Sequence, residues 1–416
     1  MAKGSLRDRG GGPVRRPAES RRREGGRFRG RFVRLVRCAA FGCLLAAPAP
    51  SAGAAPDARL VYVPESTVKV CQLTGDRDRQ TGVPTLSLTE RRAGVAATDL
   101  GSSFEHGGRL VFLFGDTWRY LDGRDAGVAR DALAWTDSCD PTAIELSFLC
   151  GGDGRWLPLE VPGLSHGPFE VPLNGVSIGG KMYVVFAMGF RPPLSLGRSV
   201  LAVSEDDGRT FRQVYQLSEG KFRVTALWKE DPWLYVFGAG EYRRSSVCLA
   251  RIETARIHDR SSLRYFSGTD GEGAARWSAE EREAAFLFRH DVVGEHSVAY
   301  CPAVGRYVML YNSSAPRGIV MRSAPRPWGA WSEAEVVFDP WRDKGYGFFM
   351  HRVNLLGGKG DGLADPGRVL PPGGEYGPYI MARYTTGDAK GCRLFYTMST
   401  WNPYQVVVMR TDLKLE

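Results

Sequence analysis

From about residue 58 onward the chain is built from short apolar runs, rich in Val, Tyr, Phe and Leu, broken by clusters of Gly, Pro and Asp. This is strand patterning almost throughout. A single segment, SAEEREAAFLF (Ser278 to Phe288), has the composition of a short helix. The remainder predicts an all-β protein. One unit recurs five times: an apolar strand, a turn, and a second apolar strand with a polar end. The units are TDLGSSFEHGGRLVFLFGDTW, FEVPLNGVSIGGKMYVVFAMGF, KFRVTALWKEDPWLYVFGAGEYR, GEHSVAYCPAVGRYVMLYNSS and EYGPYIMARYTTGDAKGCRLFYTMSTWNPY. Their turns fall near residues 107, 179, 231, 304 and 388, and each unit is followed by a further strand-like run such as DALAWT or QVVVMRTD.

Units of three or four antiparallel strands at this spacing predict a five-bladed β-propeller. A β-sandwich is the competing all-β architecture, but it does not call for five repeated hairpins with polar ends. The segment RLVYVPESTVKVC, from Arg59, is placed to supply the outer strand of the last blade and close the ring. SEDDGRTF (Ser204 to Phe211) resembles the Asp-box hairpin of sialidase-like propellers, a structural turn away from catalysis. Trp228, Trp233, Trp328 and Trp331 are expected in inter-blade packing rather than as sugar platforms.

In a propeller the innermost strand of each blade runs from one face to the other and the second returns. The start of strand one and the end of strand two therefore open on the same face. That face gathers Asp99 and Asp116; Glu170 and Asn174; Arg223, Glu241 and Arg243; Glu295, His296 and Asn312; and Tyr376, Trp401 and Asn402. Carboxylates, amides, Arg and aromatic rings around one funnel suit a carbohydrate, whose ring faces stack and whose hydroxyls hydrogen-bond. If Gly107-Gly108 forms a two-residue turn, Asp99 and Asp116 are direct cross-strand partners. Two carboxylates that close repel, so one holds its proton near neutral pH, the arrangement a glycosidase needs. The same count from a turn near Ala303-Val304 pairs Glu295 with Asn312. Taken singly, each strand-end acid is a turn or cap residue; together at one funnel they become candidate catalysts. The other nine residues, Arg243 aside, are candidate substrate contacts.

Charge and cysteine content sharpen this picture. The formal net charge is +9, yet residues 1–55 hold 12 Arg and 1 Lys against 3 acids. The remaining chain carries 42 basic and 43 acidic residues, which argues against nucleic-acid binding. Residues 1–55 have the basic, apolar and small-residue order of a secretory leader, ending in an Ala-x-Ala-like site near Ala54 and Ala55. A membrane anchor is the alternative use of this segment, and no later segment is long and apolar enough to span a bilayer. The expected domain plan is a leader, 1–55, and a single propeller, 56–416, secreted or periplasmic and monomeric. Export would make three disulfides feasible among Cys71, Cys139, Cys150, Cys248, Cys301 and Cys392, with Cys139–Cys150 the first candidate; buried thiols are the alternative. No CxxC or HExxH occurs, and no metal or other cofactor is expected.

TDLG followed by FGDTW, then GExSV, then STWNPYQVVVMR, resembles domain-of-unknown-function family 4185, over about Gly94 to Asp412. Some members of that family are endo-D-arabinanases. The resemblance implies that Asp99 and Asp116 are the leading catalytic residues, with Glu295 matching the Glu of GExSV. The family pattern has an apolar residue after that Glu, where this chain has His296. The implied activity is endo-acting hydrolysis of α-D-arabinofuranose linkages in a furanose polysaccharide. A non-catalytic carbohydrate-binding propeller is the alternative.

Overall fold

The computed structural model describes residues 58–120, 130–192, 195–354 and 360–416. The expected leader lies outside them. The described residues form five antiparallel sheets that follow one another along the chain, a five-bladed β-propeller. Blade one comprises Ala97–His106, Arg109–Trp118, Arg130–Thr136 and Ser147–Phe148. Blade two comprises Pro172–Ile178, Lys181–Met188, Arg198–Ser204 and Arg212–Ser218. Blade three has five strands, starting with Val224–Glu230 and Trp233–Ala239, and blade four starts with Val293–Cys301 and Arg306–Ser314. Blade five is built on Glu375–Ile380, Gly391–Trp401 and Tyr404–Leu415.

The first strand of each blade packs against the first strands of its two neighbours, and that of blade five returns to blade one. This is the closed ring. Closure is completed from the N-terminal side, as the sequence anticipates: Leu60–Tyr62 and Val68–Gln72 both pair with Tyr404–Leu415, with Leu60 opposite Leu415 and Cys71 opposite Val408. The second strands, such as RLVFLFGDTW and KMYVVFAM, are buried along nearly their whole length. They are apolar on both faces because each face meets a neighbouring blade. The core accordingly divides into clusters between blades, exemplified by Phe104, Leu113, Met182 and Phe186 between blades one and two. Trp331 is buried in the cluster joining blades three and four, with Trp228, Trp233 and Trp328 packed on it.

Turn chemistry holds the registers. Gly107 and Gly108 have φ of 56° and 81°, the two positive values a tight hairpin turn requires. In the Asp box, the Asp206 carboxylate accepts the Thr210 N–H at 2.9 Å and its hydroxyl at 2.7 Å, while Ser204 Oγ accepts the Gly208 N–H at 2.8 Å.

Two expectations are corrected. The segment from Ser278 to Phe288 is not a helix beyond the single 3-10 turn Glu281–Glu283. The Glu281 carboxylate instead accepts the Ser218 hydroxyl and the Lys221 N–H, each at 2.6 Å, so tertiary bonds override local propensity. Nor are there disulfides among the described residues: all six cysteines are free. Cys139 is exposed, whereas Cys150 turns inward against the core between blades five and one and pairs its backbone with Trp156. No helix among the described residues is long and apolar enough to cross a membrane.

Candidate active site

The ring leaves a cavity of about 550 Å³ where the inner strands begin, and Asp99, Asp116 and Glu295 all line it. The first hairpin builds the acid pair in a way the turn count does not capture. From His106↔Arg109 to Ser102↔Leu113 the partners follow the Gly-Gly turn. Gly101 is then bulged out, and Asp99 pairs with Gly115 rather than with Asp116. A second irregularity restores Ala97↔Trp118. The direct Asp99–Asp116 pairing is therefore corrected, because bulges insert residues that pattern counting cannot see. Leu100 at φ 63° and Asp116 at φ 37° adopt left-handed backbone here, a conformation that costs free energy and re-aims side chains. Gly115 keeps the space between the acids open: a Cβ there would lie 2.7 Å from Val171 Cγ1 and 3.0 Å from Asp99 Oδ1. The fourth hairpin repeats the device. His296 pairs with Tyr311 and Val293 with Ser313, so Gly294 and Glu295 share the space opposite Asn312.

The three acids have different electrostatic surroundings. Tyr376 and Tyr404 donate their hydroxyls to Asp99 Oδ2 at 2.9 and 2.6 Å, and Asp99 Oδ1 has no hydrogen-bond partner. Burial, then the charge of Asp116, pushes the Asp99 carboxyl up to about 7 against the two tyrosines, with Glu295 adding to the rise. Burial also raises Asp116, to about 6, opposed by the Phe169 N–H, which reaches its two oxygens at 3.1 and 3.2 Å. Glu295 differs. Burial alone would raise it, but the Arg243 guanidinium and the Tyr242 hydroxyl outweigh burial and hold it below the usual carboxylate range. Arg243 Nη2 lies 2.9 Å from Glu295 Oε1 and Tyr242 Oη 2.5 Å from the same oxygen. One cavity thus holds a coupled pair that retains a proton near neutrality and a third carboxylate fixed as an anion.

The other expected residues divide by location. Tyr376 and the half-exposed Trp401 line the same cavity. Asn312 lines a recess of about 250 Å³ that shares Arg243, Gly374 and Glu375 with it. Arg223 lines another, of about 390 Å³, joined through Ser195 and Leu196, and is paired at 3.0 Å with Glu241. Glu170 is turned to the backbone, accepting the N–H groups of Gly167, Gly189 and Phe190. Asn174 accepts the Leu227 N–H and lines a separate cavity toward the hairpin turns. His296 is enclosed, its ring nitrogens 3.2 Å from the Gly294 and Phe237 carbonyls. Asn402 is fully buried and holds the preceding loop through Arg368 O, Pro371 O and Asp365 N.

Sequence reasoning missed Tyr404, Tyr242 and the stacked Phe169–Phe190 pair, whose ring centroids are 4.6 Å apart. Tyr404 follows the hairpin turn of blade five, within a motif already singled out. The Phe pair had no signal beyond apolarity. Among the described residues no group of His, Cys, Asp and Glu has a metal-holding arrangement.

Against known proteins, the chain is 29% identical over 302 residues to notoamide biosynthesis cluster protein J of Aspergillus sp. (strain MF297-2), covering 63% of this chain and 76% of the relative. Among solved structures it superposes on a protein from Bacteroides ovatus ATCC 8483 with TM-score 0.52 at 13% identity, covering 78% of this chain and 87% of that one. With a GH43_1 enzyme from Xanthomonas citri the TM-score is 0.44 at 14% identity, covering 78% and 91%. The Bacteroides likeness is one of fold alone. The sequence profile described as a domain of unknown function, DUF4185, matches residues 86–410 and spans all three acids of the cavity, and the chain belongs to that family.

Proposed function

We propose that the protein is an exported glycoside hydrolase that cleaves a furanose polysaccharide, with internal α-D-arabinofuranose linkages of D-arabinan as the substrate. The observation that carries this reading is the buried Asp99/Asp116 pair, both carboxyls raised, beside an ionised Glu295. Asp99 is the more deeply enclosed and faces two like charges, so it holds the proton and serves as general acid to the leaving glycosidic oxygen. Asp116 remains ionised and acts as nucleophile or as base toward water. Glu295, clamped by Arg243 and Tyr242, contributes a fixed negative charge beside the positive charge that develops on the sugar. Recesses on two sides of the cavity suit a chain that continues beyond the cleaved residue.

The test is incubation of the purified protein with D-arabinan and other furanose polymers, with chromatography of the products. Release of oligosaccharides is expected, with loss of turnover and nearly unchanged binding in Asp99→Asn and Asp116→Asn. Intact polymer at every pH sinks the hydrolase and leaves the binding propeller. NMR of the first-formed anomer then separates direct attack by Asp116, which retains configuration, from attack by water, which inverts it.

A further inference from the structure

A fourth acid lies beneath the cavity. Asp131 sits on Arg130–Thr136, beside the strand that bears Asp116. Phe114 pairs there with Ala132 and Thr117 with Arg130, which leaves Gly115 and Asp116 together against Asp131. Asp131 is 3% exposed, and its Oδ2 has no hydrogen-bond partner. Facing it at 4.0 Å is His166 Nδ1, equally without a partner. Buried polar atoms left unpaired are costly, so two that face each other call for a hydrogen bond between them.

The donor is fixed by the other side of the ring. Val161 N–H donates to His166 Nε2 at 2.9 Å. Nε2 therefore presents its lone pair, and the ring proton sits on Nδ1, toward Asp131. A movement of about 1 Å brings Nδ1 and Oδ2 within hydrogen-bond distance. The Asp116 main-chain N–H is also close enough to the Asp131 carboxyl to favour its ionised form. His166 also stands in the loop whose Phe169 N–H caps the Asp116 side chain.

We propose that Asp131 and His166 are positioning residues for Asp116: Asp131 accepts the Asp116 and His166 N–H groups and so ties the acid-bearing bulge to the loop that caps it. The reaction they serve rests on the hydrolase reading above. Asp131 is faced by Asp116 and Asp99 from the inner hairpin, by Arg130 on its own strand and by His166 from the loop. His166 is faced in turn by Glu160, Glu170 and Arg130. Burial, reinforced by Asp116 and Asp99, pushes the Asp131 carboxyl well above its ordinary value. Burial holds His166 below its own, which keeps the single-proton ring that the network needs.

His166→Phe retains an aromatic ring edge-on to Phe186, where the centroids are now 5.9 Å apart, but removes the donor. On D-arabinan its kcat should fall about tenfold or more with KM within about twofold, because misplacing a reacting group by an ångström is that costly. The acid limb of its pH profile should move up, since a loosened Phe169 N–H no longer holds Asp116 down. His166→Asn, which restores a donor, should recover part of both effects. A folded His166→Phe protein with unchanged kcat and pH profile overturns the proposal. Two measurements need no turnover and so separate this proposal from the hydrolase reading. Nitrogen NMR of the full-length protein should find His166 protonated on Nδ1, and protonation on Nε2 overturns the network. Carbon NMR of the Asp carboxyls should show the Asp116 midpoint rising by about half a pH unit in His166→Phe, and an unmoved midpoint overturns it even if no furanose polymer is ever cleaved.

Discussion

At Asp99, burial and the facing charges of Asp116 and Glu295 favour the protonated carboxyl, while the hydroxyls of Tyr404 and Tyr376 favour the ionised one. Removing one hydroxyl tips this balance in a known direction. Tyr404→Phe should move the alkaline limb of kcat/KM up by about half to one pH unit, and an unmoved limb would contradict the assignment of the proton to Asp99. The same side chain costs stability. Its ordinary value is 3.8 and its folded value about 7; between them the unfolded chain has lost a proton that the folded chain keeps. The folded state is therefore progressively disfavoured as pH rises through this window, with the full deficit reached above it. Asn does not titrate, and its side-chain oxygen can still accept both tyrosine hydroxyls. Asp99→Asn should be more stable than the parent at pH 8 by about 2–4 kcal/mol, the lower end allowing for the amide N–H that replaces a carboxyl oxygen, with the gain shrinking toward nothing near pH 4. Urea denaturation across that range measures it, and a pH-independent difference would show that the raised carboxyl is not its source.

The inner hairpin of blade one shows which parts of an element can be read in a sequence. Gly107-Gly108 and the alternating apolar run gave the turn, the strands and the register as far as Ser102↔Leu113. The bulge at Gly101 and the left-handed Asp116 gave no pattern signal, because they trade backbone regularity for the placement of one carboxylate. The segment Ser278 to Phe288 failed for another reason: its helical composition is overruled by bonds from Glu281 to residues some sixty positions away. Tyr404 could have been weighed as a partner for Asp99, whereas Asp131 was hidden inside an ordinary strand run, DALAWT. Gly115 is the element-scale residue with the sharpest consequence. Its missing Cβ is what lets Val171, Leu100 and Asp99 converge, so Gly115→Ala must displace Asp99 or the neighbouring blade. The expected result is a loss of at least about tenfold in kcat with about 1–3 kcal/mol of destabilisation. Full activity in Gly115→Ala would mean that the acid pair tolerates a looser geometry than the bulges imply.

For the whole molecule the decisive contacts are those that close the ring, because each inner strand contributes to one shared cavity. Asp99 from blade one is held by Tyr376 and Tyr404 from blade five, and Glu295 from blade four by Tyr242 and Arg243 from blade three. Opening the ring between blades five and one would therefore disperse the site as well as expose core. The five-unit repeat and the N-terminal run were enough to anticipate that closure, since a propeller's last blade needs an outer strand and RLVYVPESTVKVC has no other sheet to join. In the structure Thr67 Oγ1 donates to Val337 O at 2.5 Å, and Leu73 N–H to Val406 O at 2.8 Å, so this segment ties blade five to blade four along with pairing its own strand. A chain starting at residue 73 would leave Tyr404–Leu415 with one free edge and uncover the apolar side chains beneath, Leu60's partners among them. Compared with a chain starting at residue 56, it should lose about 10 °C or more in thermal midpoint, on the scale of about 2–4 °C per kcal/mol for a domain of this size class or smaller. With the last blade loosened, its Tyr404 hydroxyl should be held less firmly on Asp99, so residual folded protein should bind the proposed polysaccharide substrate less tightly through the dispersed cavity. Circular dichroism melting and a binding titration check both parts, and a shortened chain that melts and binds like the longer one would show that the ring is held shut without the N-terminal strands.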